Sequence, residues 1–230
     1  MIAKRIIMSL LGIALLPCAG NARWRIGCTI GETYNDYARS RHYMTDWHYQ
    51  GAWSNNTGIG TAGLMCQYDF NNWLGLRLDF NWTVKAHREY SSSEYEHDFH
   101  TNDSYWQLPV MASFRVGNRK ISGFANVGVF GAYKFASNNY GVQGFISGGH
   151  YYHCNGWTKN EILKERDHRL DFGLVGGMGL ECQFNKHWSW QIVEARIYYS
   201  TCSTTHNYMN VKDPRYNTTI AIQSGVCYFF

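Results

Sequence analysis

The chain has 230 residues, of which 45% are hydrophobic, 17% aromatic and 17% charged, with a formal net charge of +4. A balance so close to neutral, with no basic stretch long enough to track a phosphate backbone, excludes nucleic acid as a partner. No apolar run reaches the roughly 20 residues of a membrane-spanning helix, which excludes a helical membrane protein.

The chain opens with Lys4 and Arg5, then an apolar run from Ile6 to Leu16, then Gly20-Asn21-Ala22, with small residues at both positions that a signal peptidase requires. Residues 1–22 therefore read as a signal peptide cleaved after Ala22, and residues 23–230 as one domain with no internal linker. Cys18 follows Leu15-Leu16-Pro17, and a proline directly before the cysteine disfavours lipoprotein processing.

Eight segments then alternate apolar and polar residues with period 2, at about 24–33, 57–70, 74–87, 104–116, 121–134, 168–184, 188–199 and 216–230. The third is the strongest. Leu74, Leu76, Leu78, Phe80, Trp82, Val84 and Ala86 take one parity, and Gly75, Arg77, Asp79, Asn81, Thr83, Lys85 and His87 the other. Such a segment exceeds the usual soluble strand of about 5–6 residues and suits a tilted strand of roughly 9–11 residues crossing a membrane. Tight turns at 71–73, 117–120 and 185–187 alternate with long polar connections near 34–56, 87–103, 135–167 and 200–215. The prediction is an all-β fold: an eight-stranded antiparallel up-and-down transmembrane β-barrel in the cell outer membrane, with short periplasmic turns and long extracellular loops. Its polar mean hydropathy is no obstacle, because every second residue faces a polar lumen.

Outward parities place Trp24, Tyr68, Phe70, Phe184, Tyr228 and Phe230 near the periplasmic rim, and Trp82, Trp106, Tyr133 and Tyr199 near the outer one, as two interfacial belts. Pro109 falls inside a strand that has no free edge, so a bulge or a missing ladder hydrogen bond is expected there. Inward parities collect Arg77, Asp79, Lys85, Arg115, Arg169, Asp171, Glu181, Glu194 and Arg196, with Gln107, Asn126, Gln183 and Gln223. A lumen this narrow holds only side chains, so these groups are expected to pair and plug it. Tyr228-Phe229-Phe230 closes the last strand, and Phe230 matches the terminal aromatic that barrel assembly machinery reads. That machinery, outer-membrane lipid and lipopolysaccharide are the expected partners.

Tyr105-Trp106-Gln107-Leu108-Pro109-Val110, the Gly-Asn turn after it and Ile121 to Tyr133 resemble strands of the PorT-like outer membrane protein β-barrel family. Leu170-Asp171-Phe172-Gly173-Leu174-Val175-Gly176-Gly177 and Val193-Glu194-Ala195-Arg196-Ile197-Tyr198 resemble that family's sixth and seventh strands. The resemblance implies an outer-membrane barrel and a link to protein secretion.

Chemistry-bearing sets are sparse. His187-Trp188-Ser189 with Glu194 is similar to the His-x-Ser plus Glu set of outer-membrane lipid A deacylases, in which a base activates the serine. Here the set begins at a periplasmic turn, and Ser189 and Glu194 have opposite strand parity. His97-x-x-His100 and His150-x-x-His153-Cys154 have spacings that bind zinc or copper if their loops meet, and read otherwise as solvated polar residues. No catalytic, cofactor-binding or metal-ligating residue is assigned, and no cofactor. Cys28, Cys66, Cys154, Cys182, Cys202 and Cys227 remain after cleavage. An oxidising envelope allows bridges between Cys154 and Cys202 or between Cys28 and Cys66, against the alternative of outward cysteines acting as small hydrophobes. The function read from these features is a non-enzymatic barrel whose outer loops contact surface partners through Tyr34, Tyr37, Trp47, Tyr49, Trp53, Tyr151 and Tyr152, or which serves envelope integrity or secretion. The alternative is a lipid-modifying enzyme or small-ligand carrier.

Overall fold

A computed structural model describes residues 23–38, 47–53, 59–91, 97–118, 120–147, 150–159, 168–204 and 215–230. The described residues form ten strands: β1 (Arg23–Ala38), β2 (Trp47–Trp53), β3 (Thr61–Asp69), β4 (Leu74–Ser91), β5 (His97–Gly117), β6 (Ile121–Ser147), β7 (His150–Lys159), β8 (Leu170–Gln183), β9 (Trp188–Ser200) and β10 (Tyr216–Phe229). Eight of them close a ring in the order β1-β3-β4-β5-β6-β8-β9-β10, every pair antiparallel and each strand beside its chain neighbour in the ring. β10 returns to β1 over a long register, from Arg25 opposite Phe229 to Ala38 opposite Tyr216. Closure pairs the backbone polar groups that lipid cannot satisfy, which is why a sheet crosses a membrane only as a barrel.

The eight expected strands are the eight members of the ring. The expected loops differ. β1, β4, β5 and β6 run well past the outer aromatic belt, and β2 and β7 lie in segments read as loop. β2 pairs with the upper part of β4, Gly51 opposite His87, and touches β1 where Trp53 faces Tyr34. β7 folds back along the top of β6, from Ser147 opposite His150 to Asn138 opposite Lys159. Apolar alternation stops at the membrane boundary, yet Thr, Tyr, Phe and Val continue through these stretches and suit a pleated surface. The hydrogen-bonded ladder therefore outlasts the apolar pattern that reveals it.

Inside the ring, side chains alternate as the period requires. Arg77, Asp79, Asn81 and Thr83 are buried in the lumen, whereas Leu76, Leu78 and Phe80 are exposed on the outside. Two bulges interrupt this. One occurs where the β5–β6 register shifts beyond Ser104, leaving Phe135 unpaired between Lys134 and Ala136. The other lies at Ile192, where the registers of β9 with both β8 and β10 shift. At Pro109 the β4–β5 ladder is interrupted between Leu78–Val110 and Asn81–Gln107, with register conserved. Proline has no N–H to give the ladder, so the second of the two expected outcomes holds: bonds are lost and no residue is inserted.

The three short turns share one device. Asn71 Oδ1 accepts hydrogen bonds from the N–H groups of Trp73 (2.9 Å) and Leu74 (2.8 Å). Asn118 does the same for Lys120 (3.0 Å) and Ile121 (2.8 Å), and Asn185 for His187 (2.8 Å) and Trp188 (2.9 Å). An asparagine side chain that mimics a backbone turn satisfies two N–H groups without lengthening the connection. Gly117 precedes the second of these turns at φ 133°, a conformation that side chains with a Cβ avoid. Replacing Asn185 with Ala is expected to lower the unfolding free energy of the barrel by about 1 kcal/mol, measured by urea titration in lipid vesicles; an unshifted midpoint would refute the shared turn device.

Candidate functional site

The lumen is the obvious candidate, and its chemistry follows from its width. Two lumen-facing glycines make room for the side chains that fill it. A Cβ at Gly63 would run into Asn81, and one at Gly179 into the Phe124 ring and the Val193 carbonyl. Asn81 and Phe124 fill those spaces, and three ionic layers are stacked along the lumen.

At the periplasmic end, Arg25 makes a bidentate pair with Asp69 through contacts of 2.7 Å and reaches Glu181 at 3.1 Å. Arg115 grips the same Glu181 from β5 at 2.9 and 2.8 Å, and the Arg25 guanidinium lies 5.0 Å over the Phe229 ring. In the middle, Glu194 is the hub. It accepts from Asn126 (2.7 Å), Gln191 (2.6 Å), Gln223 (2.7 Å) and Arg196 (2.7 and 3.1 Å), and lies 3.3 Å from Arg77. Asp79 completes a four-charge cluster, 2.8 Å from Arg77 and 2.9 Å from Arg196. Towards the outside, Lys85 pairs with Asp171 at 2.7 Å, and Ser200 and Asn217 donate to the same carboxylate. The Lys85 ammonium also sits 4.6 Å from the Tyr105 ring centre, above an apolar cluster that includes Met111, Phe130 and Val175. Lys134 and Asp103 form a further pair at 3.4 Å.

Each layer draws residues from at least three strands, so the ion pairs tie opposite walls together. Burying a charge without a partner is prohibitive, whereas a pair whose remaining lone pairs are satisfied is tolerated. The expected lumen groups Arg77, Asp79, Lys85, Asp171, Glu181, Glu194, Arg196, Gln107, Asn126 and Gln223 are all buried there. Arg115 and Gln183 are half-buried, and Arg169 lies near the outer exit, where it donates to the Tyr133 hydroxyl at 3.0 Å. Sequence reasoning missed Arg25, Asp69, Asp103 and Lys134. Arg25 and Asp69 share the inward parity of Thr29 and Gln67, which was a usable signal at the strand ends. Lys134 keeps the inward parity of Asn126, and Asp103 that of Gln107, so the same signal was present there; Asp103 falls just outside the strand expected at 104–116.

The deacylase-like set is not assembled. The parity argument against it needs correction: the Ile192 bulge turns both Ser189 and Glu194 into the lumen, where both are fully buried. His187 is what stands apart. It is exposed on the periplasmic turn, stacks on Tyr228 at 5.6 Å between ring centres, and has Nδ1 3.2 Å from the Phe229 carbonyl oxygen.

The histidine pairs sit on the outer extension. The register aligns His97 with Gln143, and Gln143 with Cys154, while His153 lies opposite Gly144. The side chains of His97, His150, His153 and Cys154 lie outside the described ones. His100 stacks on Tyr140 at 5.2 Å, and its burial pulls the imidazole below its ordinary pKa against the opposing influence of Asp98. Cys28, Cys66, Cys182, Cys202 and Cys227 carry free thiols, so neither contemplated bridge forms. Cys28 faces Leu64 and Cys66 faces Ile26, one pair out of step. Tyr34 and Trp53 are in ring contact at 5.4 Å; the side chains of Tyr37, Trp47, Tyr49, Tyr151 and Tyr152 lie outside the described ones.

A closed antiparallel ring with an apolar outer band, aromatic belts at both ends, a polar packed lumen and turns short on one side only is a small outer-membrane β-barrel. Residues 17–205 match the family described as outer membrane protein beta-barrel domain, and the chain belongs to that family. Among solved structures it is similar to Ail, the attachment invasion locus protein of Yersinia pestis, at 16% identity over 90% of this chain and 98% of that one, with a TM-score of 0.41. It is also similar to the outer membrane protein OprG of Pseudomonas aeruginosa (10% identity, 92% and 98% coverage, TM-score 0.49) and to Neisserial surface protein A (10%, 91% and 99%, TM-score 0.48). Likeness at this level is one of outline only. No protein of curated function matches the sequence.

Removing the hub carboxylate leaves Arg77 and Arg196 buried without their shared partner. Glu194→Ala is expected to destabilise the barrel by about 3–5 kcal/mol, read from denaturant unfolding in vesicles. A loss under about 1 kcal/mol would mean that Asp79 alone carries both cations.

Proposed function

We propose that the protein is a non-enzymatic, PorT-like outer-membrane barrel that works through its outer strand extensions, contacting a surface partner in envelope integrity or protein secretion. One observation carries this: the lumen is filled by paired charges, while β4, β5 and β6 continue as ordered sheet beyond the outer aromatic belt. A blocked interior leaves the outer surface as the place for interaction. The exposed Trp53, packed beside Tyr34, supplies the amphipathic aromatic surface that interfaces favour. The PorT-like affiliation is supported by Tyr105-Trp106-Gln107-Leu108-Pro109-Val110 on β5 and its pairing with the Gly-rich β6.

Export by a signal peptide cleaved after Ala22 belongs to the same proposal, as do contacts with outer-membrane lipid and lipopolysaccharide. So does handling by barrel assembly machinery through Phe230, which is exposed on the outer surface. Mass spectrometry of the mature protein should find Arg23 as the first residue; an acylated Cys18 would overturn that route.

Reversible cross-linking in outer membranes followed by affinity capture is expected to recover an envelope or secretion component, with the yield falling about tenfold for Trp53→Ala. Planar-bilayer recording should show no conductance above background. A lipid A profile that changes when the gene is deleted would replace this reading with the enzymatic one.

A further inference from the structure

Between Asp79 of the middle ionic layer and Lys85 of the outer one, β4 turns Asn81 and Thr83 into the lumen. The row that starts at Asn81 runs across three more strands. Asn81 lies opposite Gln107, Gln107 opposite Ala132, and Ala132 opposite Asp171. All four are buried, and Asn81, Gln107 and Asp171 are exposed by 1% or less. Both polar atoms of the Asn81 amide, both of the Gln107 amide and Oδ1 of Asp171 have no hydrogen-bond partner among the described residues. A lumen amide one layer below is different. Gln191 donates to Glu194 at 2.6 Å and accepts from Arg77 at 3.4 Å.

Burying a polar group without a hydrogen bond is costly, so a row of such atoms calls for a shared partner. The backbone adds to the demand. The β4–β5 ladder is interrupted between Leu78–Val110 and Asn81–Gln107, so the bonds lost at Pro109 lie beside the same two amides. Lipid supplies no substitute for them. Room comes from small side chains. Ala132 contributes only a methyl group between Gln107 and Asp171. The inward positions of β1, β3 and β4 nearby are Thr29, Thr33, Thr61 and Thr83, whereas the bulky Tyr105, Met111, Phe130, Val175 and Tyr198 belong to β5, β6, β8 and β9.

The occupant follows from the charges around it. Asp79 is held by Arg77 and Arg196, and Oδ2 of Asp171 by Lys85, Ser200 and Asn217. An anion would meet the Asp171 carboxylate. A cation would leave the NH2 groups of both amides without an acceptor and would face the Lys85 ammonium. A small neutral molecule that both donates and accepts suits every atom of the row, and buried water typically has 2–4 such partners. We propose that the row from Asn81 to Asp171 is a water-binding site: a buried cluster of water bridges the Asn81 and Gln107 amides to Oδ1 of Asp171 and serves the ladder gap at Pro109. The plug is then wet at one level, with ion pairs above and below it. The site is distinct from the outer extensions and does not depend on what they contact.

NMR of the folded barrel in detergent micelles, reading magnetisation transfer from water to the side-chain amides, tests it. The expected result is a cross-peak from long-lived water at the NH2 groups of both Asn81 and Gln107, and none at Gln191. Ala132→Leu, whose larger side chain takes the place of the water, should abolish the Gln107 cross-peak. Its folding is checked independently by heat-modifiable gel mobility. Absence of water cross-peaks at both amides of the wild type would overturn the site, whether or not the variant folds. Undiminished cross-peaks in folded Ala132→Leu would overturn it too. A shift of both NH2 resonances when potassium replaces sodium would identify a cation as the occupant in place of water.

Discussion

The fold rests on one constraint: a ring of eight strands is too narrow for water to solvate the charges it encloses, so each must find an opposite charge inside the lumen. The described lumen holds Arg25, Arg77, Lys85, Arg115, Lys134 and Arg196 against Asp69, Asp79, Asp103, Asp171, Glu181 and Glu194. No cation is left over in that balance, and the layered arrangement fixes which strands can face each other. Arg25 of the first strand needs Glu181 of β8, and Arg77 of β4 needs Glu194 of β9. A slip of one residue in any ring strand but β10, which carries no charge, would turn a charge towards lipid. The ionic layers therefore specify register, while the outer apolar band specifies depth.

The bulge at Ile192 is a consequence of the same demand. β9 carries Ser189 and Gln191 on one parity and Glu194 and Arg196 on the other, and all four are needed inside. A regular strand could not deliver them. One unpaired residue resolves the conflict at the cost of a local break in two ladders, and it leaves Ile192 and Val193 both facing out. Pro109 shows the opposite outcome. There the lost bonds are accepted because parity is already right: Gln107 and Met111 on either side both face the lumen.

Much of this was legible in the sequence because a membrane imposes two regular signals at once, period 2 along each strand and aromatic rings at two depths. Leu74 to His87 displays the period and carries Trp82 of the outer belt. The turns were legible from Asn71, Asn118 and Asn185, although their common hydrogen-bonding role was not. Three things were hidden. The upper strands lost the apolar half of their alternation on leaving lipid and so resembled loops. The Ile192 bulge follows from what Glu194 must reach, which no local window contains. The row from Asn81 to Asp171 depends on Gln107 meeting Ala132 and Ala132 meeting Asp171, an order across strands that exists only once the sheet has formed.

The outer hairpins also bear on the thermodynamics of recognition. β5 pairs with β6 without a break in connectivity from Gly117 opposite Ser122 at the periplasmic turn to His97 opposite Gln143 far above the outer belt, with one bulge on the way. A surface carried on that ladder inherits the order of the membrane-spanning wall. Any partner meeting it would forfeit little backbone entropy on its side, since ordering a segment at the moment of binding is among the larger costs of association. Affinity would then be governed by the shape of a stiff sheet, and slow exchange would come from the rate of leaving more than the rate of arrival.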